Sequence, residues 1–218
     1  YEKWKIPDFT TQYKNDKFIF EKPHIVVSNR YNWEHGQQPV GYFSLPCLLE
    51  IFTYLTNQGY KVIYKRPRNN EFPLDQNEMN TVYNKENLLA KVEGGGLISD
   101  YDLTTHFEDV MLIDDVVSNN PELTYNEVQL NLFANADKFI AMSGGSTLLL
   151  SLFKKPTITY LYNSSDLRQN FWESESGMKN IKNYYYMMNP NTIPFIDREC
   201  EDMRLHKFDN FLNLIKET

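Results

Sequence analysis

Five short apolar runs, each rich in β-branched or aromatic residues, constrain the fold of this chain more than any other feature. The runs are HIVVSN (24–29), KVIYKR (61–66), VMLID (110–114), KFIAMS (138–143) and TITYLY (157–162). Their apolar residues follow one another rather than alternate, as expected of strands that are buried on both faces. The sequence therefore predicts a mostly parallel sheet, with NYYYMM (183–188) as a candidate for a further strand.

Segments with helical spacing separate these runs. One of them, 44–59, begins with Ser44 as an N-cap, has a proline in its first turn and ends at a glycine. Another, 124–136, begins with Thr124 followed three residues later by Glu127, which is the capping-box pattern. Two more helices are predicted at 145–153 and 208–217. Strands alternating with helices predict an α/β fold with a doubly wound sheet.

The stretch 69–101 has the least regular pattern in the chain. It predicts one helix, MNTVYNKENLLAKV (79–92), and a domain boundary would fall here if the chain had two domains. Each half would then hold only two or three strands, so we expect a single α/β domain over residues 1–218. Residue 1 is Tyr rather than Met, which leaves open that the chain is cut from a longer polypeptide.

Composition excludes several classes of protein. A net charge of −7 gives no support to a nucleic-acid partner, which needs a basic surface. No apolar run approaches the roughly 18 residues of a membrane-spanning helix. Two cysteines, Cys47 and Cys200, cannot form a disulfide framework or a four-ligand zinc site by themselves. We therefore expect a cytoplasmic protein with no membrane span and no bound metal.

The turn after the fourth apolar run is a candidate phosphate site. Ser143, Gly144, Gly145, Ser146 and Thr147 lie where a predicted strand passes into a predicted helix. The helix start presents free N–H groups, the glycines allow close approach, and the hydroxyls are donors to phosphate oxygens. The same residues could equally serve only to cap the helix and turn the chain. No lysine follows as in a Walker motif, and the G-x-S-x-G spacing of a nucleophile elbow is absent.

The long loop SNRYNWEHGQQPVGYFS (28–44) is the second candidate, since it follows the first strand and so lies at the same edge of the sheet. Loops of this length within compact domains are commonly functional. Arg30 could face an anionic phosphate, and Glu34 and His35 are possible proton acceptors for a hydroxyl.

Two adjacent carboxylates, Asp114 and Asp115, end the third predicted strand. Carboxylates at that position can hold a ribose hydroxyl or a divalent metal, or can simply cap the loop. Capping is the favoured alternative, and we keep Asp114 as a donor-binding candidate.

The order of these parts resembles the nucleotide-sugar-binding half of GT-B-like glycosyltransferases, a Rossmann-like fold. The resemblance extends over NEVQLNLFANADKFIAMSGGSTLLLSLFKKPTITYLYN and, less closely, over residues 24–44. The chain resembles in particular the bacterial and viral enzymes of surface-glycan synthesis. In fucosyltransferase-like members, a stretch similar to ADKFIAMSGGS runs into a helix whose start holds the donor pyrophosphate.

This resemblance implies metal-independent transfer of a sugar from a nucleotide diphosphate to a hydroxyl of a glycan acceptor, without a further cofactor. Residues 143–147 would then contact the diphosphate, and Arg30 would neutralise the leaving phosphate. Glu34, or His35 in reserve, would be the base if the sugar is inverted.

Two other functions remain open from the sequence. One is a non-catalytic nucleotide- or glycan-binding module of a longer protein. The other is a metal-dependent GT-A-type transferase in which Asp114 and Asp115 replace the usual D-x-D pair, although their adjacency matches that spacing poorly.

Overall fold

The computed structural model describes residues 7–31, 33–34, 41–66, 82–83, 88–91, 95–143, 145–162, 189–197 and 207–218. Its strands are β1 (His24–Ser28), β2 (Trp33–Glu34), β3 (Lys61–Lys65), β4 (Val82–Tyr83), β5 (Leu89–Lys91), β6 (Leu97–Ser99), β7 (Val110–Leu112), β8 (Lys138–Met142), β9 (Thr157–Tyr162) and β10 (Thr192–Asp197). Its helices are α1 (Phe9–Tyr13), α2 (Leu45–Asn57), α3 (Asp100–Thr104), α4 (Ile113–Ser118), α5 (Tyr125–Asn135), α6 (Gly145–Ser151) and α7 (Asp209–Glu217).

Six strands form one parallel sheet in the order β10-β9-β8-β1-β3-β7. The five predicted strands are all members of it, so the prediction of a parallel α/β fold is confirmed. Numbered along the chain, the sheet strands lie 6-5-4-1-2-3, which is the Rossmann-like arrangement. The sheet takes strands from both sides of the irregular stretch 69–101.

Each face of the sheet packs against its own group of helices, because every residue of β1 is buried and successive side chains point to opposite faces. On the first face, which we name the α2 face, Ile25 and Val27 pack with α2 and α7. On the second, the α5 face, Val26 packs with α4, α5 and α6.

The helix boundaries follow from local sequence. In α5 the Thr124 side chain accepts a hydrogen bond from the Glu127 N–H, and the Glu127 carboxylate accepts one from the Thr124 N–H, which confirms the predicted capping box. In α2 the N-cap is Ser44, and Gly59, just after the helix, has φ +84°, a left-handed conformation that glycine adopts without strain. Within the described part of the chain, no helix combines the length and the apolar character needed to cross a membrane.

Two predictions about local structure are wrong. The predicted helix 79–92 contains β4, which pairs antiparallel with β2, and β5, which pairs antiparallel with β6. The third sheet strand ends at Leu112, and the chain passes at once into α4. The candidate strand 183–188 lies outside the described residues.

Candidate active site at the carboxyl edge of the sheet

The sheet has its topological switch point between β1 and β8, which are neighbours in space but far apart in sequence. The helix after β1, α2, lies on one face, and the helix after β8, α6, lies on the other. Chain segments leaving the two strands therefore pass to opposite faces of the sheet, the arrangement that forms a crevice in open α/β folds. In open α/β sheets, ligands bind in such a crevice beyond the carboxyl ends of the strands.

Arg30 and the turn at Ser143 meet at this crevice. The guanidinium Nη1 of Arg30 donates a hydrogen bond of 3.1 Å to the carbonyl oxygen of Ser143. The Ser143 N–H in turn donates to the carbonyl of Tyr160, so the backbone at Ser143 still extends the ladder between β8 and β9. The two segments that the sequence placed at one edge of the sheet are therefore in direct contact.

The rest of the turn leads directly into α6. This helix begins at Gly145, Ser146 is its second residue, and Gly144 lies outside the described residues. The Thr147 side chain is buried, with 0% exposure, and its hydroxyl donates to the Met142 carbonyl at 3.0 Å. That hydrogen bond uses the only proton of the hydroxyl and joins α6 to the end of β8.

Of the candidate bases, Glu34 belongs to β2, where its backbone lies opposite Val82 of β4. This pairing connects the chain after β1 to a strand from the stretch 69–101. The second candidate, His35, lies outside the described residues.

The adjacent carboxylates lie in the first turn of α4 rather than at the end of a strand. Asp114 is 4% exposed, whereas Asp115 is exposed to solvent. Successive residues of an α-helix point about 100° apart, so these two carboxylates do not converge on one point as ligands of one metal ion would. Burial, and to a lesser extent the negative charge of Asp114, raise the pKa of Tyr125.

No group of three potential metal ligands (His, Cys, Asp or Glu) is found among the described residues. At this edge of the sheet, Arg30 brings a positive charge next to the turn at Ser143.

A buried polar network at the carboxyl end of β3 was missed from sequence. Arg66 donates through Nε and Nη2 to the two carboxylate oxygens of Asp100, and the two side chains are 2% and 0% exposed. The Tyr64 hydroxyl also donates to Asp100, at 2.7 Å, and accepts from the Asn29 amide at 3.1 Å. The ring of Tyr101 lies 4.3 Å from the centre of the Arg66 guanidinium.

Electrostatics follow from this packing. Burial opposes the charge on Arg66, but the hydrogen bonds and negative charge of Asp100 outweigh it and raise the pKa of Arg66. Burial, together with the same carboxylate, raises the pKa of Tyr64. The guanidinium therefore stays ionised and the phenol stays neutral. A buried arginine needs a buried acid, but no local feature of KVIYKR shows that its charged end is buried.

Lys65, the residue before Arg66, lies on the α5 face of the sheet. Ile63, two residues earlier on the same strand, belongs to the core of that face. Its side chain is 5% exposed, and burial lowers its pKa from 10.5 to about 8. It stands opposite Ser28 in the register between β1 and β3. A partly neutral amine is thus held one strand away from the switch point.

Comparison of the sequence with protein-family models finds no matching family, and comparison with curated proteins finds no match.

Proposed function

We propose that this chain is a glycosyltransferase that moves a hexosyl or pentosyl group from a nucleotide-diphosphate sugar to a hydroxyl of a glycan acceptor, without a metal ion. The observation that carries the proposal is the contact between the Arg30 guanidinium and the Ser143 carbonyl at the switch point of the sheet. That contact supports a site in which a fixed positive charge lies beside the strand–turn–helix element that follows β8.

The donor diphosphate is the part of the substrate that this arrangement suits. A diphosphate carries concentrated negative charge, and arginine binds phosphate oxygens through paired N–H donors. The N-terminal residues of α6 would add backbone N–H donors, and the small residues Gly144 and Gly145 would let the phosphate oxygens approach the backbone. Ser143 and Ser146 would donate from their hydroxyls, while Thr147 holds the turn in place.

Transfer with inversion requires a base on the acceptor side of the sugar. In the proposal, Glu34 accepts the proton of the acceptor hydroxyl as that oxygen forms its bond to the anomeric carbon. The bond from that carbon to the diphosphate oxygen breaks, and the new charge on the diphosphate is stabilised by Arg30. Glu34 is preferred to His35 because a carboxylate is ionised at neutral pH, whereas an ordinary histidine has a pKa of about 6.5. Asp114 remains a candidate for the donor ribose.

The test is release of nucleoside diphosphate from a panel of nucleotide sugars, with glycan acceptors and excess chelator present. We expect turnover by the wild-type chain and a loss of about 10²- to 10⁴-fold in Glu34→Gln, the range of a general base. Glu50→Gln, on the exposed surface of α2, is the matched control and should keep wild-type turnover. Loss of turnover in His35→Ala but not Glu34→Gln would exchange their roles.

The assay also separates the other two functions. A non-catalytic binding module would bind nucleotide yet release no diphosphate over a long incubation. A GT-A-type transferase would lose its turnover in chelator.

A further inference from the structure

Asn29, the first residue after β1, uses the whole hydrogen-bonding capacity of its side chain. Its Nδ2 donates to the Phe43 carbonyl and to the Tyr64 hydroxyl, both at 3.1 Å. Its Oδ1 accepts from the Arg30 N–H at 2.9 Å and from the Phe43 N–H at 2.8 Å. Two donors and two acceptor sites are all that a carboxamide has. The Asn29 side chain therefore joins the backbone at Arg30 to the backbone of Phe43, two residues before α2.

The network behind Asn29 fixes which way its amide faces. A carboxylate only accepts, so the hydrogen bond between Tyr64 and Asp100 uses the hydroxyl proton of Tyr64. The tyrosine oxygen is left to accept from Asn29, so the Nδ2 end of the amide must point toward Tyr64. The Oδ1 end then points toward the N–H groups of Arg30 and Phe43. Arg66 holds Asp100 through two hydrogen bonds, so the buried ion pair and the backbone groups of Arg30 and Phe43 favour the same orientation of the Asn29 amide.

We propose that Asn29 is a positioning residue for Arg30: it fixes the backbone from which the guanidinium reaches Ser143 and the anionic group of the donor. The ligand part of this inference rests on the proposed function, whereas the positioning part does not. Aspartate cannot replace Asn29, because it lacks the two N–H donors and would add a second negative charge near Asp100. Alanine would remove all four hydrogen bonds.

The first experiment measures amide hydrogen exchange by NMR without any ligand, in the wild-type chain, Asn29→Ala and Tyr64→Phe. We expect the Arg30 and Phe43 amides to exchange roughly 3- to 10-fold faster in Asn29→Ala, the effect of one lost hydrogen bond each. Tyr64→Phe should have a much smaller effect on these two amides, because the backbone groups of Arg30 and Phe43 still hold the carboxamide in the same orientation. The matched control is Tyr54→Phe, which deletes a hydroxyl that donates to Lys216 and should leave both amides unchanged. Wild-type exchange rates at Arg30 and Phe43 in Asn29→Ala would overturn the inference, whether or not the chain binds nucleotides.

The second experiment is a double-mutant cycle on the affinity for nucleoside diphosphates, measured by calorimetry. Asn29→Ala should weaken binding by about 10-fold in the wild-type background and hardly at all in Arg30→Met, because its effect acts through Arg30. Equal losses in the two backgrounds would show a purely structural role and contradict positioning. If the wild-type chain binds no nucleoside diphosphate, the proposed function fails, and the exchange rates alone decide whether Asn29 positions Arg30.

Discussion

Two arginines follow neighbouring strands at the same edge of the sheet, and their surroundings differ. Arg66, directly after β3, is buried and donates two hydrogen bonds to Asp100. Arg30, two residues after β1, is partly buried and donates to a neutral backbone carbonyl at the switch point. The charge of Arg66 is compensated within the fold, so it stabilises the carboxyl end of β3. In the proposed function, Arg30 instead binds the anionic donor at the switch point.

The largest effect should come from Arg66→Met, which leaves the Asp100 carboxylate buried without its counter-ion. We expect the free energy of unfolding to fall by about 3–5 kcal/mol, measured by urea denaturation. Arg30→Met should cost less, because Arg30 is only partly buried and its described side-chain hydrogen bond is to a neutral carbonyl. The double variant Arg66→Met with Asp100→Leu should recover much of the loss, because it removes both charges. Equal costs for the two arginines would remove the distinction between them.

Lys65 extends the comparison to a buried cation whose charge is opposed by burial, which lowers its pKa from 10.5 to about 8. Below pH 8 the amine is charged in both folded and unfolded states, and folding bears the full cost of burying it. Between about pH 8 and 10.5 the folded amine is neutral while the unfolded one is protonated, so the contribution of Lys65 to stability rises with pH.

Lys65→Met should therefore raise the free energy of unfolding most below pH 8. Its effect there should exceed its effect at pH 10.5 by roughly 3 kcal/mol. The difference in the free energy of unfolding between variant and wild type, followed from pH 7 to 10, measures this. The same substitution at the partly exposed Lys61, on the same strand, shows what losing a lysine does without deep burial. A Lys65→Met difference that does not change across this range would contradict the lowered pKa.

The smallest expected effect is at Thr147. It distinguishes a residue that stabilises the turn from a residue that binds the phosphate. Thr147→Val keeps the shape of the side chain and removes its hydrogen bond to the Met142 carbonyl. We expect the free energy of unfolding to fall by about 1 kcal/mol, and the affinity for nucleoside diphosphate to change by less than about twofold. Unchanged stability with a tenfold weaker affinity would instead identify Thr147 as a direct ligand of the phosphate.

The fold was predictable wherever its cause is local. Short stretches of sequence are enough to predict buried strands such as β1 and the capping box of α5. The predicted helix 79–92 failed because its Met, Lys, Glu, Leu and Ala residues favour a helix on propensity alone. Antiparallel pairing of β5 with β6 overrides that propensity, and the missed signal was the glycine run 94–96 between two apolar segments.

The site was predictable only in part, for the same reason. Contact between Arg30 and Ser143 follows from topology, because parallel strands end at one edge of a sheet. The hydrogen bonds that join Asn29, Tyr64 and Asp100 connect residues 35 and 36 positions apart, and no local pattern specifies such pairs. In KVIYKR no local feature shows that the charged residues at the strand end are buried, so their partners could not be predicted.

The most direct test of the proposed site is calorimetric titration of the nucleoside diphosphates, in the presence of chelator, into the wild-type chain, Arg30→Met and Lys61→Met. We expect at least one nucleoside diphosphate to bind the wild-type chain and Lys61→Met equally. We expect it to bind Arg30→Met about 10- to 100-fold more weakly, the effect of losing a hydrogen bond to a charged group. Wild-type affinity in Arg30→Met, or no binding of any nucleoside diphosphate to the wild-type chain, would contradict a diphosphate site between β1 and β8.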